Sequence, residues 1–193
     1  MLGLYQLKGG QFMVDSLNFY DIRHTEITHQ IAIVLQETEM FNLPLRDNIT
    51  LLKPLDEVLL EKSIRIARLE DVVKKMPEGL DTKIGEKGYR LSGGERQRIG
   101  IARAVYKDPQ MFVLDEATSA LDGRTEEHIH SALEKEMKDK TMIIIAHRIT
   151  TLKNVNRICV FEKGRIVEQG SYEKLLGDPR SRLSRIARMK DTK

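Results

Sequence analysis

The sequence predicts an α/β fold: a mostly parallel sheet core interrupted by an inserted helical subdomain. Three observations carry this. Residues 31–35, 111–114 and 142–146 are continuous apolar runs, the form of strands buried on both faces of a sheet. Each run finishes in polar residues: Gln36, then Asp115 and Glu116, then His147. Between the first two lies a long stretch with helical spacing, out of step with simple alternation of strand and helix.

Taken in order, residues 1–5 (MLGLY) have no start signal and read as the last turn of a helix, stopped by Lys8, Gly9 and Gly10. A short strand is expected over 11–15, turning at Asp15 and Ser16. The run at 31–35 is the first buried strand. In residues 44–76, Pro44 can start a helix, and Leu55, Val58, Leu59, Ile64, Ile66, Ala67 and Leu69 supply apolar faces among charges, until Pro77, Glu78 and Gly79 break the pattern. After the strands at 111–114 and 142–146, short strands are expected at 157–162 and 165–169, joined by Lys163 and Gly164, with a closing helical segment from Ser171. A length of 193 residues suits one domain. Its parts are core over 1–36, helical subdomain over 37–107, and core with C-terminal helices over 108–193.

Composition narrows the function classes. Lys and Arg total 32 against 29 Asp and Glu, and the signs are interleaved, which argues against a nucleic-acid surface. The tail RSRLSRIARMKDTK is basic and amphipathic, and reads as a solvated terminal helix. Cys159 is the one cysteine; in the apolar run around Ile158, Val160 and Phe161 it reads as a buried thiol, with a reducing compartment as the corollary. Apolar runs fall well short of the roughly 20 residues that span a bilayer, so a membrane role is expected through a partner.

The chemistry is concentrated in residues 91–122. In Leu91-Ser92-Gly93-Gly94-Glu95, Ser92 at the N-cap and Glu95 three residues on form a capping box, while the glycines leave N–H groups open to an anion at the positive end of the helix. Open parallel sheets bind ligands beyond the carboxyl ends of their strands, so Gln36, Asp115, Glu116 and His147 are expected to be neighbours. Asp115 could hold a Mg²⁺, and Glu116 could position or deprotonate an attacking water.

The order Gln36, then 91–95, then 111–116, then Ser119-Ala120-Leu121-Asp122, then His147, resembles the nucleotide-binding domain of ATP-binding cassette (ABC) transporters. There these are the Q-loop, the signature motif, Walker B with its catalytic Glu, the D-loop and the switch histidine. The resemblance covers essentially the whole chain, and Thr82-Lys83-Ile84-Gly85-Glu86-Lys87-Gly88 looks like the exporter type. It implies a P-loop NTPase (RecA-like) core, ATP and Mg²⁺ as ligands, and head-to-tail pairing with a second nucleotide-binding domain beneath transmembrane domains, at the cytoplasmic face. It implies that Ser92, Gly93, Gly94 and Glu95 meet the nucleotide of the partner chain, that Glu116 polarises the hydrolytic water, and that His147 contacts the γ-phosphate. Gln36 would sense Mg²⁺ alongside Asp115, and residues 119–122 would lie at the dimer interface. Soluble cassette ATPases with long coiled coils fit less well, because residues 37–90 have no room for one.

One element of the family pattern is absent: no G-x-x-x-x-G-K-[ST] occurs in the sequence. Residues 1–5 match the end of the helix that follows this loop, so the chain reads as N-terminally truncated. The expectation is that it does not hydrolyse ATP alone, and that it is unstable or depends on another chain. The alternative reading is a non-catalytic module that lends its signature to an intact cassette.

Overall fold

The computed structural model describes residues 6–14, 16–86, 88–146 and 148–191. The expected helix end at 1–5, the turn residue Asp15 and His147 lie outside the described residues. The chain divides into two compact units, Met1–Ile145 and Ala146–Lys193.

The first unit opens with a two-residue hairpin, β1 (Met13–Val14) against β2 (Leu17–Asn18), shorter than the strand expected at 11–15. Phe12 and Phe19 stack beside it with ring centroids 4.5 Å apart. Helix α1 (His24–Gln30) leads directly into β3 (Ile31–Val34). This strand pairs in parallel with β4 (Met111–Asp115), which pairs in parallel with β5 (Thr141–Ile145). Val34 stands opposite Leu114, and Leu114 opposite Ile144, so the three strands end at a common level.

Burial on these strands differs from expectation. Ala32, Val34, Phe112 and Leu114 are buried, whereas Ile31, Ile33, Met111 and Val113 alternate with them and are only half-buried. The reason lies in the helices. Helical residues such as Ile99, Ala102, Ile129 and Leu133 join one face of the sheet in a single apolar cluster. The other face is half-exposed, so a continuous apolar run here folds with the period-two burial of a sheet covered on one side.

The helical block runs from 45 to 75 as three helices: α2 (Leu45–Thr50), α3 (Glu57–Ile66) and α4 (Glu70–Lys75). Leu51, Leu52 and Arg68 adopt left-handed backbone angles (φ 53°, 58° and 55°) and supply the breaks. A non-glycine residue in this region costs roughly 1–2 kcal/mol, so these turns are held by their surroundings. Asn48, fully buried, ties α2 to the segment that enters it. Its Nδ2 donates to the carbonyls of Phe41, Leu43 and Pro44, and its Oδ1 accepts from the Phe41 N–H at 2.9 Å. Helix α5 (Gly93–Tyr106) follows, then Asp108 in a left-handed turn and Pro109, which end it before β4. Helix α6 (Gly123–Glu136) connects β4 to β5.

The second unit holds the antiparallel pair β6 (Ile158–Glu162) and β7 (Arg165–Gly170), then α7 (Tyr172–Gly177) and α8 (Arg182–Asp191). Ile158, Leu175 and Leu183 form its small core. Cys159 is free and half-buried, less enclosed than its apolar neighbours suggested, because the pair has one exposed side marked by Phe161 and Ile166. No helix among the described residues is long and apolar enough to cross a membrane.

Candidate functional site

The capping box forms as the spacing requires. Ser92 Oγ accepts from the Glu95 N–H at 3.2 Å, and Glu95 Oε2 accepts from the Ser92 N–H at 2.7 Å. Two otherwise orphaned donors are satisfied, and Ser92 stays exposed at the positive end of the fourteen-residue α5. The glycines have a second role that the anion argument does not supply. A Cβ on Gly94 would lie 3.1 Å from the Ala120 carbonyl oxygen and 3.2 Å from Leu121 Cδ2, so the bare backbone lets α5 rest on residues 119–122.

Glu116 follows directly after β4. Its φ of 49° places a charged, non-glycine residue in the left-handed region, at the cost of order 1–2 kcal/mol noted above. The position is fixed from both sides: the Glu116 N–H donates to the Ile145 carbonyl of β5 at 3.0 Å, and the Glu116 carbonyl accepts from the Ser119 N–H at 3.1 Å. Strain of this kind collects at functional positions held by surrounding structure.

Gln36, Asp115 and Glu116 come to the same end of the sheet through the strand register, since Val34 is paired with Leu114. A carboxylate and an amide oxygen at that edge are the hard oxygen donors that suit Mg²⁺, which takes one or two protein ligands and leaves the rest to phosphate and water. No cluster of three or more His, Cys, Asp or Glu that could cage a metal is gathered among the described residues.

Residues 119–122 form the tight turn from β4 into α6. Asp122 is exposed and caps α6 through its Oδ1, which accepts from the Thr125 N–H at 2.9 Å. That bond, with one from the Thr125 hydroxyl, holds its carboxyl below the usual range. Leu121 is buried, whereas Ser119 and Ala120 are exposed.

A residue the sequence reading passed over joins these parts. Gln97, in the second turn of α5, is 4% exposed. Its Nε2 donates to the Gln36 carbonyl at 3.1 Å and to Ser119 Oγ at 3.0 Å, while its Oε1 accepts from the Ala120 N–H at 2.9 Å. The signal was present: Gln97 lies at helical spacing from Ile101, Ala104 and Val105, all buried, so it is a polar residue on an apolar stripe. Around it opens a cleft of about 600 Å³, lined among others by Gln36, Thr38, Tyr89, Gly93, Ser119 and Ala120. A smaller cavity of about 240 Å³, bordered by Lys53, Arg103 and Lys107, holds none of the expected site residues.

The sequence and the fold are both similar to those of known proteins. The ABC transporter family model matches residues 1–119. An ATP-dependent lipid A-core flippase of Paraburkholderia xenovorans is 44% identical over 168 residues, which is 87% of this chain and 28% of the flippase. Multidrug resistance protein 1 of Entamoeba histolytica is 43% identical over 89% of the chain and 14% of its own length. A solved bacterial Atm1-family ABC exporter with ATP bound superposes over the whole chain with a TM-score of 0.92 at 32% identity, the chain matching 34% of it. The chain thus spans under a third of the first two relatives. With the P-loop NTPase fold, the ordered motifs and these similarities together, the chain belongs to the ABC transporter family, as the nucleotide-binding domain of its exporter type.

Proposed function

We propose that this chain serves an exporter-type transporter as one nucleotide-binding domain, with residues 37–107 as its inserted helical subdomain. It would pair with a second such domain at the cytoplasmic face and couple ATP binding and hydrolysis to movement in transmembrane domains. The observation that carries this reading is the exposed, capped N-terminus of α5 beside the turn at 119–122.

In this arrangement Ser92, Gly93 and Gly94 present N–H and hydroxyl donors at the helix N-terminus to the γ-phosphate held by the partner. Glu95 holds that end rigid. Asp115 and Gln36 would hold Mg²⁺, which when bound neutralises charge on the phosphates. Glu116 accepts a proton from the attacking water, on a backbone locked against β5 and Ser119. His147 would contact the γ-phosphate, and residues 119–122 would face the partner.

The sequence contains no G-x-x-x-x-G-K-[ST], and losing even one preorganised donor to a developing charge costs about 3 kcal/mol. These 193 residues alone are therefore expected to be inactive. A second reading rests on the α5 terminus, whose capping box is complete: these residues would lend their signature to an intact cassette. Mixing the chain with such a cassette and measuring ATP turnover tests both. A change in turnover that disappears in Ser92→Ala supports lending; no such change counts against it. A turnover by the pure chain that vanishes in Glu116→Gln would overturn the expected inactivity.

A further inference from the structure

We propose that Gln97 is a positioning residue: one buried amide that fixes the Gln36 segment, the start of α5 and the turn at 119–120 to one another, so that none of the three moves independently.

The geometry is unusually constrained. The Ala120 N–H can only donate and the Gln36 carbonyl can only accept, so the two ends of the amide have one possible orientation. The Ser119 hydroxyl takes the remaining donor. All three partners lie in turns just beyond strands or helices, where no ladder would otherwise hold them. The partners are separated from Gln97 by 61, 22 and 23 residues, so this is a tertiary tie, not a local cap. Burial strengthens it, because an amide lacking any of these partners would leave a desolvated polar atom unpaired. Gly94, one helical turn before Gln97, brings its backbone close to the same Ala120, so the glycine contact and the amide act on one turn from the same helix.

The two halves of the amide can be separated chemically. Gln97→Glu keeps an acceptor for Ala120 but replaces the donor to Gln36 and Ser119 with a carboxylate oxygen. Gln97→Leu removes everything at similar volume. Ser119→Ala removes one contact alone. The direct reading is hydrogen exchange of the Ala120 amide in the purified chain. Exchange is expected to quicken about tenfold in Gln97→Leu, the loss of one buried hydrogen bond, and to stay near wild type in Gln97→Glu. Unchanged exchange in Gln97→Leu would overturn the proposal.

The consequence for catalysis rests on the lending reading above. In a mixture with an intact cassette, Gln97→Glu should lower kcat about as much as Gln97→Leu while leaving KM for ATP unchanged, because Ser92 and its cap are untouched. Ser119→Ala should fall between them and the wild type. A normal kcat in Gln97→Glu would overturn the tie to Gln36, and a parallel loss of kcat, KM and thermal stability would reduce Gln97 to an ordinary core residue. If Ser92→Ala leaves turnover unaltered, the lending reading has failed, and the Ala120 exchange alone decides the role of Gln97.

Discussion

Asn48 offers the sharpest test of how the helical block is held. Replacing it with Ala removes five bonds, the weakest of them from Arg103 Nη2 at 3.4 Å, yet the three carbonyls it serves keep other donors: Phe41 O has the Leu43 N–H, Leu43 O has the Ile84 N–H, and Pro44 O has the N–H of residue 48 itself. The Phe41 N–H, which donates to Asn48 Oδ1 at 2.9 Å, is the group the substitution orphans. One desolvated N–H costs about 1–3 kcal/mol, and truncation at a fully buried position adds to it, so Asn48→Ala should lower stability by about 2–4 kcal/mol. Asn48→Asp should be worse at neutral pH. It keeps the acceptor for Phe41 but turns a carboxylate oxygen toward three carbonyls now 2.9–3.2 Å from the amide nitrogen, with Arg103 Nη2 at 3.4 Å as the nearest cation. At acidic pH the new carboxyl protonates and regains a donor, so the gap between the two variants should close. Urea unfolding at constant m-value measures both. A loss under 1 kcal/mol in Asn48→Ala, or an Asp variant no less stable than the Ala variant at pH 7, would refute the reasoning.

Two further outcomes are expected. Burial lowers the pKa of His130 below its usual 6.5, against the opposing pull of Glu126 and Glu134, and neither ring nitrogen has a hydrogen-bond partner among the described residues. A base depressed in the native state is protonated first in the unfolded chain, so its neutral burial favours folding above about pH 6.5 and that contribution is lost as the pH falls below it; His130→Leu should flatten this part of the stability curve and add about 1 kcal/mol at pH 6. At the cap of α5, Glu95→Ala should cost about 1 kcal/mol in urea unfolding and Glu95→Gln only a few tenths, since the amide oxygen still reaches the Ser92 N–H; equal losses would show that charge, and not geometry, carries the cap.

What was legible in the sequence were features set by neighbours in the chain. The strands at 31–34, 111–115 and 141–145 announce themselves as apolar runs, and the Ser92–Glu95 box needs only a spacing of three. Features set by distant partners were hidden. Helical spacing puts Gln97 on the apolar stripe of α5, but its partners could not be read there; only the fold brings Gln36 and Ala120 to it. The left-handed Leu51 and Leu52 carry no glycine to mark the break in the helical block, because contacts made elsewhere override the preference of leucine. The half-exposed face of β3 and β4 was unreadable for a related reason: composition gives the apolarity of a strand, but which face is covered depends on where the helices lie.

The parallel pairing of Val34 with Leu114 has a consequence during synthesis. Strand β3 leaves the ribosome long before β4 exists, and at 5–20 residues per second it waits roughly 4–16 s for its ladder partner. In that interval the intervening helices are already available. Helix α5 is the last of them to emerge, just ahead of β4, and its Gly100 approaches so near that an added Cβ would stand 3.3 Å from Val34 Cγ1 and 2.6 Å from Thr38 Oγ1. The same helix that presents Ser92 thus reaches the nascent strand only at the end of that wait, together with β4, and a larger side chain at position 100 would hinder the joint docking of helix and strand that closes β3 to the wrong neighbours.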